Sequence, residues 1–145
     1  MGKITARQVI DTLEEIVAQY GEDYTYKPVN FASECRYSTP EGEPDCIVGQ
    51  VVYRLVPDAF QKIVAIEREN KNYGFGVAWD DFHGSFPQNE AEEDYRSVVY
   101  DAMEHFDSEA NCILTHAQRD QDCCEAWGSV LDAAREALKG MVENA

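Results

Sequence analysis

Residues 35–55 read CRYSTPEGEPDCIVGQVVYRL, and the way the first half hands over to the second decides the architecture. Pro40, Gly42 and Pro44 exclude regular structure from the middle of the stretch, because proline lacks a backbone donor and glycine favours turns. Cys35–Ser38 reads as a short strand entering that turn. Beyond it Val48, Val51, Val52 and Leu55 recur at helical spacing, and Pro44 suits the first turn of the helix they define. Pro57 then stops the helix, since the residue before a proline is pushed out of helical geometry.

On the N-terminal side, Val9, Leu13, Ile16 and Tyr20 share one helical face, flanked by Ile10 and Val17. Thr5 and Gln8 form a Thr-x-x-Gln capping box, so a helix is predicted over Ala6–Tyr20, ended by Gly21. The stretch EDYTYKPVNFASE alternates only briefly, enough for a short strand or an extended arm. On the C-terminal side, Asp58 is expected to cap a helix over Ala59–Arg68, with Phe60, Ile63 and Val64 inward and Gln61 at the box position. Tyr73, Phe75, Val77 and Trp79 alternate with small residues, a strand pattern. Tyr95, Val98, Val99, Ala102, Met103 and Phe106 form an apolar stripe that Ala110, Leu114 and Ala117 continue. Asp107 and Ser108 favour caps over helix interiors and are expected to break it. Trp127, Leu131, Ala134, Leu138 and Met141 mark the last helix. The expected fold is mainly α (α+β): one domain, residues 1–145, of five or six helices with short strands near 24–27, 35–38 and 73–79.

The chain has 145 residues, 44% of them hydrophobic, which suffices for a packed core. No apolar run approaches the roughly 18–20 residues of a membrane span, and MGKITARQVIDTLEE lacks signal-peptide character. Gly2 is followed by Ala6 where a myristoylation motif needs Ser or Thr. A cytoplasmic protein without membrane contact is expected, and in that compartment the five cysteines should be reduced. The formal charge of −16 is unevenly spread: residues 1–79 carry 12 acidic and 8 basic side chains, residues 80–145 carry 16 and 4. That balance argues against direct nucleic-acid binding, which needs a Lys/Arg surface. It suits an acidic face toward a basic protein surface, or simple solubility.

Few residues suggest chemistry. Cys35, Cys46, Cys112 and His116 are four conceivable zinc ligands. Their spacing matches no finger, and buried thiols are the expectation. Adjacent Cys123 and Cys124 form no redox motif, lie beside Asp120, Asp122 and Glu125, and are read as packing residues. Gly74-Phe75-Gly76 lacks the third glycine and the Lys-Ser/Thr ending of a phosphate loop. Asp80, Asp81 and His83 read as a solvated acidic loop. Glu90, Glu92, Glu93 and Asp94 sit where a helix macrodipole favours them, and with Asp101 and Glu104 they make up a candidate acidic binding face. No catalytic constellation, metal site or cofactor is predicted.

Two segments carry a resemblance: CRY…EGEPDCIVGQVVYRL, on Cys35, Tyr37, Gly42, Pro44, Cys46, Val48 and Gly49, and AQRDQDCCEAWGSVLDAA, on Gln118, Gln121, Asp122, Trp127, Gly128 and Leu131. Over about a quarter of its length, the chain resembles a group of small acidic proteins of actinobacteriophages and actinobacteria of unknown function. Two departures stand out: Cys124 where that group tends to carry glycine, and Val56-Pro57 in place of Leu-Gly. The resemblance implies a fold signature, with Gly42 turning the chain, Gly49 letting a helix approach a neighbour, and Trp127 and Gly128 supplying the second half of such a contact. It also implies a non-enzymatic accessory protein that binds a host or bacterial protein in the bacterial cytoplasm. The alternatives are an acidic DNA mimic that inhibits a nucleic-acid enzyme, or a sponge for a nucleotide signal stacked on Tyr73–Trp79.

Overall fold

The computed structural model describes residues 2–26, 36–69, 79 and 90–143. Six helices account for most of them: α1 (Ala6–Tyr20), α2 (Ile47–Leu55), α3 (Pro57–Glu69), α4 (Glu90–Met103), α5 (Ser108–Asp122) and α6 (Trp127–Glu143). The fold is mainly α. Among the described residues the β content is two isolated bridges, Ile4 with Phe106 and Ser38 with Pro44. The strand expected at 24–27 does not form over Tyr24–Tyr26, and the one at 35–38 shrinks to the Ser38 bridge. Residues 73–78 lie outside the described residues.

Local chemistry explains the boundaries. At the start of α1 the Thr5 amide donates to Gln8 Oε1 at 2.9 Å and the Thr5 hydroxyl accepts from the Gln8 amide at 3.3 Å. That reciprocal pair satisfies two amides that the helix itself leaves open. The helix stops at Gly21, whose φ of +100° is strained for any residue with a Cβ. Helix α2 starts later than the proline rule suggests. Pro44 is bridged to Ser38, and Cys46 is the N-cap, its Sγ accepting from the Gly49 amide at 3.4 Å. Pro57, which ends α2, also occupies the first position of α3, where its missing N–H costs nothing. Asp58 therefore lies inside the first turn of α3 and is not its cap. Asp107 caps α5, accepting from the Ala110 amide at 2.8 Å, and so separates α4 from α5 as its composition predicts.

Helix α5 ends in a Schellman motif: the Cys124 amide bonds to Gln121 O at 3.0 Å and the Glu125 amide to Asp120 O at 3.1 Å. This places Cys124 at φ +69°, a left-handed position that glycine occupies more easily. Cys123 and Cys124 are both exposed, which corrects their reading as packing residues: the turn points them outward.

The packing is a bundle in which α1 lies against α2, α5 and α6, while α3 joins α2 to α4. The apolar stripes meet in one core. Leu13, Ile16, Ile47, Val51, Phe60, Ile63, Tyr95, Ile113, Leu114 and Trp127 are all fully buried, and each large aliphatic of this kind contributes about 1.5–3 kcal/mol by leaving water. Trp127 is 0% exposed, held edge-on by Tyr20 and Tyr24 at ring separations of 5.1 and 4.5 Å.

Two glycines are fixed by close backbone approach. A Cβ on Gly49 would lie 2.1 Å from the carbonyl oxygen of Tyr37, and one on Gly128 would lie 2.7 Å from that of Glu22. The close contacts expected of both residues exist, but each is made with a connecting segment. Gly49 lets α2 approach Tyr37 in the turn, whereas Gly128 lets α6 approach Glu22 after α1, so the two glycines serve separate contacts and not the two halves of one. At Gly42 the φ of +84° turns the chain, and its amide donates to Thr39 O at 2.9 Å.

Candidate functional site

Polar groups gather beneath the turn at 36–45. Glu67, near the C-terminal end of α3, is 3% exposed. Its carboxylate accepts from the Tyr37 amide at 3.1 Å, the Ser38 amide at 2.8 Å, the Ser38 hydroxyl at 2.5 Å and the Tyr95 hydroxyl. One side chain thus fastens the turn and α4 to α3. Burial raises the Glu67 pKa, and the hydrogen bonds from Ser38, Tyr95 and Tyr37, together with the Arg36 charge, offset part of that rise. Tyr95 is pushed up by burial and by the neighbouring Glu67 charge, so its hydroxyl stays protonated and remains a donor.

A second carboxylate belongs to the same cluster. Asp45 accepts from the Tyr26 hydroxyl at 3.0 Å, and that hydroxyl accepts from the Arg36 amide at 3.3 Å. Burial pushes the Asp45 pKa up to about 6; the Tyr26 bond lowers it, Glu67 raises it and Arg36 lowers it. The Arg36 charge favours the ionised form of both carboxylates. The buried Nη2 of Arg36 makes no hydrogen bond among the described residues.

Three buried glutamines do similar work. Gln121 Oε1 accepts from the Ile47 amide at 2.7 Å and so satisfies the first turn of α2 from α5. Gln118 Oε1 accepts from the Trp79 amide, and Trp79 Nε1 donates to Asn111 Oδ1 at 3.0 Å. Gln50 Nε2 donates to Tyr20 Oη and to the Pro44 carbonyl, both at 3.0 Å. These buried amide groups tie turn backbone and a helix start to neighbouring helices, and so meet the hydrogen-bonding need of buried polar groups.

The sequence signal for this network is polar residues at helical spacing on the apolar stripes. Glu67 stands four residues after Ile63 and seven after Phe60, on the face assigned to the core. Gln118 and Gln121 hold the same relation to Leu114. Gln121, Tyr37, Gly42, Pro44, Cys46, Gly49, Trp127 and Gly128 come from the two resembling segments and serve the turn with the start of α2 or the 22–24 connection, while Gln118, from the same segments, holds the Trp79 amide.

The other expected sites are separated. Cys46 is fully buried at a helix N-cap, Cys112 is half-buried and His116 is exposed, while Cys35 lies outside the described residues. Among the described residues no group of three or more His, Cys, Asp or Glu side chains could hold a metal ion. Asp80, Asp81, His83 and Gly74–Gly76 also lie outside them. Trp79 is fully buried against Tyr37 and Phe106 and is therefore closed to a stacking base, contrary to its place in the nucleotide reading. No described helix is long and apolar enough to cross a membrane.

Of the acidic face, Glu90, Glu93, Asp94 and Asp101 are exposed along the side of α4 opposite Tyr95 and Val99, with Glu104 exposed in the turn that follows. The side chain of Glu92 lies outside the described residues. Tyr100 stands beside Asp101, seven residues after Glu93, and is 45% exposed. Away from this face, a groove of about 390 Å³ between α1 and α6 is lined by Glu14, Glu22, Asp23, Asp132 and Arg135, among others. Arg135 crosses it to Glu14 at 3.3 Å.

Comparison with models of known families, with curated proteins and with solved structures finds no match.

Proposed function

We propose that the chain is a non-enzymatic binding protein, of the small phage accessory type, whose partner is a bacterial or host protein met in the bacterial cytoplasm. The observation that carries the reading is Tyr100 on the outer side of α4, a half-exposed aromatic on the helix that also exposes Glu93, Asp94 and Asp101. Tyrosine is enriched at the centres of protein interfaces, where one residue can dominate affinity, whereas rim charges mostly set the association rate. Buried Glu67 and half-buried Asp45 support the same reading, since both are engaged in holding the fold.

A second reading uses the same row of carboxylates as a DNA mimic that occupies the basic cleft of a nucleic-acid enzyme. The charge of −16 favours it, and salt separates the two. After affinity purification from bacterial lysate and identification of the partner, binding is measured at low and physiological salt. Parent, Tyr100→Ala and a variant with Glu90, Glu93, Asp94, Asp101 and Glu104 changed to Gln or Asn are compared. A protein binder anchored by Tyr100 loses at least about tenfold in affinity in Tyr100→Ala, while neutralisation chiefly slows association. Near-complete loss on neutralisation, with a steep salt dependence at Debye lengths of about 8–10 Å, would establish the mimic instead.

A further inference from the structure

We propose that the adjacent thiols of Cys123 and Cys124 form a chelating site for a trivalent arsenical, a neutral thiophilic centre that takes both sulfurs and brings its third substituent with it. The site lies on the turn that ends α5, a different element from the α4 face assigned to a protein partner, and does not depend on that reading.

Both residues are exposed, whereas Cys46 is fully buried at the N-cap of α2 and Cys112 is half-buried on α5. Among the described residues this is the one place where neighbours in the chain are both exposed cysteines. The backbone beneath them is tied down. The Cys123 amide donates to the carbonyls of Arg119 and Asp120, both at 3.1 Å, the Cys124 amide to Gln121 O at 3.0 Å, and the Glu125 amide to Asp120 O at 3.1 Å. Neither cysteine backbone has to be ordered when a ligand arrives, so the entropy lost on binding is confined to two short side chains. Cys124 sits at φ +69°, a conformation that glycine adopts without strain but in which glycine would leave a single sulfur.

Chain geometry chooses the occupant. Adjacent Cα atoms lie about 3.8 Å apart across a trans peptide, less than the roughly 4.4–6.8 Å that a disulfide usually spans. A direct bond between the two sulfurs would therefore be strained and readily reduced. A single bridging atom relaxes that demand: with bonds of about 2.3 Å from the bridging atom to each sulfur, the sulfurs sit roughly 3.5 Å apart. Zinc asks for further protein ligands, and among the described residues no group of three or more His, Cys, Asp or Glu side chains could hold a metal ion. Trivalent arsenic needs only the two sulfurs, its third bond being to its own hydroxyl or phenyl group. Charge agrees with this choice. Asp122 and Glu125 flank the thiols and are exposed, a setting that repels anionic reagents such as oxidised glutathione and is indifferent to neutral arsenous acid.

The exchange is a condensation in which nothing is oxidised or reduced. Each thiol gives up its proton and two As–S bonds form. Arsenous acid loses two As–O bonds and releases two water molecules; phenylarsine oxide loses its As=O bond and releases one. Phenylarsine oxide added in equimolar amount to the fully reduced chain, followed by intact mass spectrometry and peptide mapping, tests the assignment. The expected product carries one phenylarsenic group in place of two thiol hydrogens, on the peptide that holds Cys123 and Cys124. It should survive excess mercaptoethanol and be stripped by dimercaptopropanol, because only a dithiol competes with a chelate. Cys123→Ser and Cys124→Gly should each weaken binding by about 100-fold or more, through loss of the second, intramolecular bond, whereas Cys112→Ser should leave it unchanged. Cys124→Gly relieves the left-handed residue and keeps the turn folded, so it decides the matter if a serine variant misfolds. An adduct that mercaptoethanol removes, affinity retained in Cys124→Gly, or arsenic mapped to any other cysteine would overturn the proposal.

Discussion

Removing the Glu67 carboxylate should be among the most damaging single changes available on α3. In Glu67→Ala the amides of Tyr37 and Ser38 lose their acceptor while remaining buried, and the hydroxyls of Ser38 and Tyr95 lose theirs. The amides cannot turn away, and each buried donor left unsatisfied costs about 1–3 kcal/mol. The hydroxyls can rotate toward other acceptors and add less. Against these losses stands a gain, since a carboxylate whose pKa is raised by burial is itself unfavourably desolvated in its charged form. The balance is a destabilisation of roughly 3–5 kcal/mol, in the range for breaking a buried charged pair. For a domain of this size that lowers the melting temperature by about 10–20 °C.

Glu67→Gln is the informative companion. Its carbonyl oxygen can still accept from one or two donors, but its amide group places a donor against another donor. It should lose roughly half as much as Glu67→Ala. Urea denaturation followed by circular dichroism measures both, and the slope should stay constant if only the native state is affected. Two results would refute the reasoning: Glu67→Ala within about 1 kcal/mol of the parent, or Glu67→Gln as damaging as Glu67→Ala. Either would mean that the turn is held by other contacts and that the four hydrogen bonds bring no net stability.

The remaining predictions concern backbone conformation and packing. Gly49→Ala should destabilise by about 3 kcal/mol or more, because its Cβ would meet the Tyr37 backbone at 2.1 Å. Gly140→Ala on α6, where nothing lies within 4 Å, should stabilise by about 0.5–1 kcal/mol from helix propensity alone; equal signs for the two glycines in thermal melts would count against the close approach. Cys124→Gly should stabilise by about 1 kcal/mol by relieving the left-handed conformation at φ +69°, and an unchanged denaturation midpoint would mean that the turn adapts without strain.

What the sequence revealed and what it concealed divide by the range of the interaction. The capping box of Thr5 and Gln8, the stop at Gly21, the break at Asp107 and the role of Pro57 all depend on groups within four residues of each other, so their spacing is enough to identify them. The start of α2 was misplaced because two local rules compete there. Proline suits a first turn, yet Pro44 is committed to the Ser38 bridge, and a cysteine sulfur, a weak acceptor, caps the helix instead. The interior network is a different matter. The Ile47 amide finds its acceptor 74 residues away on Gln121, and Ser38 finds Glu67 29 residues away, distances that no local pattern encodes. A trace was nevertheless visible: a glutamate or glutamine recurring at helical spacing among apolar residues marks a core position that must be satisfied by something distant.

The acidic charge separates along the same line. A net charge of −16 counts Glu67 and Asp45 together with Glu90 and Asp101, although the first two hold backbone and hydroxyl groups inside the fold and the others stand in solvent on α4. Composition can assign all of them to a binding surface, whereas burial removes Glu67 from it and the bond from Tyr26 engages half-buried Asp45 in holding the turn. It also gives the two groups different responses to solution conditions. Surface carboxylates respond to salt, because their fields are screened within a Debye length. Buried Glu67 and half-buried Asp45 should respond more to pH than to salt, because proton binding changes their charge outright. A titration at fixed ionic strength and a salt series at fixed pH therefore probe two separate sets of acids in the one chain.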